Sequence, residues 1–221
     1  MSDEAHEGGF ALEEADRLLT TTRAVRRRLD MDRAVPREVL ERCIEIAMQA
    51  PIGGNQEVRR WVVVTDQALK AEIAAVYREA STPYLDELYR DANETSDQQK
   101  LRVIASAQFL ATNLERMPVL VIPCVEPQID LSSNVSAAAE YASVLPAVWS
   151  FQLALRARGL GTTHTTLHLY EENRVSRLLG IPGSVNQVGL LPVAYTVGQE
   201  FRPARRIDPR KVTHRNTWTG E

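Results

Sequence analysis

Apolar and polar positions along the chain alternate between two periods. FALEEADRLLTTT, residues 10–22, has helical spacing. In DRAVPREVLERCIEIAMQAP, Leu40, Cys43, Ile44 and Ala47 fall at i, i+3, i+4 and i+7, one apolar face of a second helix. Pro36 suits its first position, where a missing N–H costs nothing, and Pro51 stops it before the loop PIGGN. RWVVVTD is a short β-branched run that predicts a buried strand, with Asp66 placed to cap the helix QALKAEIAAVYREA. Residues 81–100 are polar with scattered tyrosines and read as a mobile, partly helical excursion. LRVIASAQFLATNLER predicts a helix, and the unbroken apolar run in MPVLVIPCVE a fully buried strand. After a loop ending near Ser136 comes a long apolar helix, SAAAEYASVLPAVWSFQLALRARGL. Val144, Val148, Phe151 and Leu155 form one stripe of it, and Pro146 is expected to kink or break it. GTTHTTLHL looks strand-like, YEENRVSRLLGIP is a short helix closed by Gly180, and NQVGLLPVAYTVGQE carries the last clear strand. Strands alternating with more abundant helices predict an α+β fold, a mixed sheet flanked by helices. A single domain over 10–221, with residues 1–9 as a flexible tail, is expected.

Composition changes this picture little. At 221 residues the chain can bury a real core. No apolar run approaches the roughly 20 residues of a membrane helix. MSDEAHEGGF is polar and acidic, unlike a secretory signal, so a cytoplasmic protein is expected. Cys43 and Cys124 lie in apolar segments without CxxC spacing and read as buried, unpaired thiols. His164 and His168 would share one side of a strand, but no HExxH, cysteine or carboxylate pair accompanies them. Packing or polar roles are expected, and no metal site. His164 follows the turn at Gly161 closely enough for a ligand contact to stay open, and His6 and His214 read as surface residues.

The unusual feature is TTRAVRRRLD, residues 21–30, in a chain whose formal net charge is -3. If helical, it puts Arg23, Arg26 and Arg27 on one face, where like charges repel, while Arg28 points to solvent. A phosphate dianion would turn that repulsion into charge-assisted bonds. The bland alternative is a solvated basic face. Nucleic acid suits the run less well, because the chain is acidic overall and no aromatics interleave the arginines. Arg202, Arg205 and Arg206 form a second cluster, which either converges on the same anion or is unrelated. There is no GxxxxGK[ST], and no GxGxxG after the first strand, so a classical dinucleotide fold is not expected.

Four stretches together resemble the nitroreductase family of FMN-dependent oxidoreductases: TTRAVRRRLD, APIGGNQEVRRWVVV, LRARGLGTTHTTL and LLPVAYTVGQEFRPARRI. They stand in family order over about residues 15–218. The resemblance implies a homodimer with FMN at the interface and both subunits contributing to each site. It implies that Arg23, with Ala24 beside it, binds the phosphate. Arg27 would reach the ribityl chain or pyrimidine edge, and Arg26 would take either role if the register shifts by one. Asn55 would face the flavin from the partner subunit, and Leu160 and Gly161 would bring backbone to the ring. Arg206, with Arg205, would close on the phosphate. Two departures stand out: Val25 where the family often has serine, and Glu57 where it has an amide, with Val58 in place of proline.

Such a protein would take hydride from NAD(P)H onto flavin N5 and pass electrons to a nitroaromatic, quinone or similar flat acceptor by a ping-pong cycle. Arg27 would stabilise the charge of the reduced ring. No catalytic side chain is singled out, because little acid–base chemistry is required. Tyr77, Tyr84 and Tyr89 flank the excursion that often roofs the flavin in this family, where they would stack on a flat substrate or simply pack. Trp61 reads as core, Trp149 as core or dimer interface, and the apolar helix around Trp149 as a subunit interface. Alternatives are a flavin-remodelling or dehalogenating relative, and a flavin-binding or storage protein without turnover.

Overall fold

β2, Val119–Val125, organises the sheet, and its side chains are buried at every position. The computed structural model describes residues 9–219 of the chain. β1, Arg59–Val64, runs antiparallel to β2 with Val62 opposite Ile122. On the other edge lies β5, Leu191–Tyr195, with Leu120 opposite Pro192. β3, Leu160–Gly161, completes the order β1-β2-β5-β3, and β4, Asn186–Gln187, pairs with the far end of β2. The α+β class is as expected. Among the described residues every pairing of these strands is antiparallel, where the sequence suggested a mixed sheet.

Two helices pack against this sheet in a shared core. α2, Arg37–Ala47, contributes Leu40, Cys43 and Ala47, and α5, Asn134–Ala157, contributes Val144, Val148, Phe151 and Leu155. They meet Val119, Val121, Leu191 and Val193 from β2 and β5. Trp61 joins them with its ring 5.4 Å from that of Phe151. α5 runs through Pro146 without a break. Proline there forfeits one backbone bond, but the neighbouring Ser143, Val144, Ala147 and Val148 are buried and hold the turn in place.

The excursion at 81–100 is more helical than its polar composition suggests. α3 continues from Gln67 to Glu94 through Pro83, and α4 follows at Gln98–Asn113. Ser81, Leu85 and Ala92 are the buried positions in this half of α3. So sparse a set leaves the segment looking polar in sequence, although it packs on α4. Asp66 caps α3 and Asp97 caps α4 through their side chains. The Thr-rich run is not a strand beyond Gly161. Thr165 and Leu190 make one isolated bridge, and Leu167–Glu171 is a 3-10 turn leading into α6, Glu172–Leu179. Gly180 closes α6 with φ 65°, as read from sequence.

Residues 23–199 form one compact unit, and the chain ends form another. In the second unit α1, Leu12–Thr21, has Glu13 and Glu14 in its first turn, where they complement the helix dipole. Its tail holds a 3-10 turn at Pro209–Lys211 capped by Asp208, and a stacked pair, His214 and Trp218, 4.6 Å apart. The expected flexible tail, residues 1–9, lies almost wholly outside the described residues. Among those residues no helix is long and apolar enough to cross a membrane, and no cluster of three or more potential metal ligands occurs. Both cysteines are free and buried, and burial pushes the Cys124 thiol up to about 12.

Candidate functional site

The arginine run is not helical. Residues 23–30 form an irregular loop stitched to the sheet by its own backbone. Val25 N–H donates to the Thr162 carbonyl at 2.9 Å, Asp30 N–H to Tyr195 at 2.8 Å, and Val197 N–H to the Arg28 carbonyl at 2.8 Å. Val25 and Leu29 are the buried anchors of the loop. Val25, which lacks the hydroxyl the resembling pattern often has, is thus part of the core. The arginines therefore share a loop rather than a helix face. Arg28 is half-buried and donates to the Val197 carbonyl at 2.9 Å, instead of standing in solvent. Arg27 donates to the Ala105 carbonyl at 3.1 Å and lies 5.2 Å from the centre of the Phe109 ring. Arg23 and Ala24 are exposed.

Arg26 differs from its neighbours. It is half-buried, and desolvation pushes its pKa down, while the nearby Tyr77 phenol works in the opposite direction. Among the described residues no carboxylate forms an ion pair with it. A desolvated cation without a counter-charge is costly, and an anion brought to it would relieve that cost.

The structure brings Leu160 and Gly161 to this loop. A Cβ built on Gly161 would lie 2.6 Å from the Thr196 methyl, 3.2 Å from Leu29 and 3.2 Å from the Val25 Cβ. Only glycine lets the arginine loop lie this close to β3. Asn55 stands on a separate loop between α2 and β1, exposed, with φ 52° following Gly54 at φ 59°. Glu57 on that loop is tied to Arg59, whose guanidinium holds its carboxyl below the usual carboxylate range. Arg205 and Arg206 are exposed and belong to the unit formed by the chain ends.

Sequence reasoning missed the residues just beyond the Gly161 turn. Thr165 shares a 2.8 Å hydrogen bond with the fully buried Tyr77 hydroxyl, whose pKa burial pushes up. Tyr84, Thr166, Leu167, Leu169 and Tyr170 line a cleft of about 410 Å³. Tyr84 is a candidate from sequence, whereas Thr166, Leu167 and Leu169 of the facing wall have the pattern of a strand. The clue available was the density of threonines directly after the Gly-Leu-Gly turn.

Both histidines of that run have packing roles. The His164 Nε2 lies 3.0 Å from the Val188 carbonyl, and its ring fills the space a Cβ on residue 189 would need, 1.9 Å from that nitrogen. His168 is wholly buried, and among the described residues neither ring nitrogen has a hydrogen-bond partner. Burial pushes it down to about 4; the adjacent Gln187 side chain opposes this and His164 reinforces it. An unfolded chain takes up that proton near pH 6.5, whereas the folded chain refuses it until about pH 4. Stability therefore rises with pH across this window and is lost as pH falls through it. Between pH 7 and pH 5 the expected loss is about 2 kcal/mol, and His168→Gln should flatten it. Urea midpoints of both proteins at the two pH values check this.

On the opposite side of α5 from its core stripe, Tyr141, Leu145 and Trp149 are exposed, with alanines at 138 and 142 beside them. The helix is thus buried on one side only within a single chain.

Comparison with known proteins gives this arrangement its context. A family model described as the nitroreductase family matches residues 19–195. Iodotyrosine deiodinase of Thermotoga neapolitana is 26% identical over 160 residues, covering 72% of this chain and 77% of that protein. Among solved structures, an oxidised iodotyrosine deiodinase bound to FMN and 3-iodo-L-tyrosine superposes with a TM-score of 0.68 at 22% identity, over 91% of this chain and 98% of the other. The FMN-dependent nitroreductase NfnB of Mycobacterium smegmatis, in complex with NADPH, gives 0.66 at 17% identity, over 93% and 99%.

Proposed function

The chain belongs to the nitroreductase family, and from that premise we propose that it is an FMN-dependent oxidoreductase. It passes electrons from NAD(P)H to a nitroaromatic, quinone or similar flat acceptor, donor and acceptor using one cleft in turn. The observation that carries the reading is Arg26, a half-buried guanidinium without a carboxylate partner among the described residues, on a loop fixed at both ends. That is how a phosphate site is built in advance: the cation is partly desolvated on a fixed loop, and the anion supplies the missing charge.

Bound FMN would supply the two-electron carrier. Arg26 and Arg23 would hold its phosphate. Arg27, braced by the Ala105 carbonyl and the Phe109 ring, would present a fixed positive charge from the same loop. Leu160 and Gly161 would offer backbone to the ring, with Ala24 beside the phosphate. Asn55 would come from a second copy of the chain, which the exposed apolar stripe of α5 would hold in place. Tyr84 and Tyr170 would flank a flat acceptor in the cleft they line.

A second reading, reductive dehalogenation of an aromatic substrate, is favoured by the likeness to the Thermotoga neapolitana deiodinase. One experiment separates the two. The absorbance of the purified protein is recorded before and after anaerobic NADH and NADPH, and then with a nitroaromatic, a quinone and 3-iodotyrosine as acceptors. Flavin bands that bleach and are restored by the first two support the proposal. Restoration by 3-iodotyrosine alone supports dehalogenation. Bands that persist point to a carrier, and no flavin after added FMN rejects both readings.

A further inference from the structure

Arg59 opens β1 but serves the loop before it. Its guanidinium is buried, and four of its N–H groups are used. Nε and Nη2 grip the two Glu57 carboxylate oxygens at 2.9 and 2.7 Å. Nη1 donates to the Ala50 carbonyl at 3.0 Å and Nη2 to Met48 at 3.2 Å, both in the turn after α2. The Arg59 backbone N–H also donates to Glu57, at 2.9 Å. A cation at the end of a helix meets carbonyls that have no partner within the helix. The result closes the neck of the loop 48–58. Its far end is held independently, where Gly53 N–H donates to the Ser143 hydroxyl of α5 at 3.1 Å. Between these two anchors sit Gly54 and Asn55, successive residues in the left-handed region, and Asn55 lines a groove of about 520 Å³ together with Glu57 and Arg59.

We propose that Glu57 and Arg59 are positioning residues for Asn55, a buried-arginine stitch that fixes the loop so that the Asn55 amide meets its ligand in one orientation. This rests on the flavin-site reading as far as the ligand is concerned. Asparagine tolerates the left-handed conformation but does not enforce it, so the loop needs an outside constraint. Glutamate supplies one because a planar carboxylate matches the arginine fork.

The test uses the full chain with Glu57→Gln, which retains the carbonyl bonds of Arg59, and Arg59→Lys, which retains charge without the fork. Amide hydrogen exchange needs no ligand. The Gly53 and Gln56 amides, which donate to the Ser143 hydroxyl and the Gly53 carbonyl, should exchange about tenfold faster in both variants, while β2 amides stay as protected as in the parent. Unchanged exchange in that loop would overturn the positioning claim. FMN affinity, read by fluorescence quenching, should weaken about tenfold in Glu57→Gln. In a double-mutant cycle with Asn55→Ala the losses should not add. Full additivity, or an unaltered affinity in a variant whose loop exchanges faster, would overturn the link to the ligand. A parent chain that binds no FMN would reject the proposed function and overturn that link, while the exchange data would still decide whether the stitch orders the loop.

Discussion

Arg26→Ala is expected to raise the dissociation constant for FMN about 100-fold. A hydrogen bond to a charged group contributes about 1.5–3 kcal/mol, and each 1.4 kcal/mol is tenfold in affinity. The upper end applies here because the guanidinium is already partly desolvated, on a loop whose backbone is bonded to its neighbours, before any anion arrives. The same variant separates a binding role from a structural one. A cation that stabilised the fold would lower the melting temperature of the flavin-free protein when removed. Arg26 has no carboxylate partner among the described residues and is half-buried, so its loss should leave that temperature unchanged or raise it. Titration of FMN into flavin-free protein, with thermal unfolding of the same samples, gives both numbers. A lower melting temperature with unaltered FMN affinity would return the arginine to a structural role.

Gly161→Ala should destabilise the chain by about 3 kcal/mol, near the upper end for overpacking a close contact. The added carbon meets the Thr196 methyl at 2.6 Å, a distance side-chain carbons do not adopt. Two further neighbours, Leu29 and the Val25 Cβ, close the other sides at 3.2 Å. Val25 cannot step aside by a rotamer change, because its Cβ moves with the backbone that carries the arginines. Relief must come from moving that loop, so FMN affinity should fall as well. Urea unfolding and FMN titration measure the two effects. The space demanded would be refuted by an alanine variant as stable as the parent. Gly180→Ala offers a contrast: no atom lies within 4 Å of a Cβ there, and the cost comes from the left-handed backbone alone.

The sequence alone determined the elements whose side chains fall on one side of a regular period. α2 was legible because Leu40, Cys43 and Ala47 face one core, β2 because a strand buried at all its positions leaves no polar interruption, and the start of α3 because Asp66 caps it. The α+β class followed from their order, and the arginine run, the Gly-Leu-Gly turn and the Asn55 loop were visible as candidates. Local pattern failed where a few long-range contacts outweighed it. The second half of α3 is helical although only scattered positions are buried. The Thr-rich run lost its strand character because its single bridge to Leu190 gives way at once to a 3-10 turn. Nor could spacing show which arginine is desolvated, or that Thr165 meets Tyr77 from a helix 88 positions away in sequence. Those facts depend on where distant backbone segments come to rest, and a one-dimensional period carries no information about that. Residue types and local periods determined which parts exist; burial and partner choice, which set the energy of every charge in the site, were decided only by the tertiary structure.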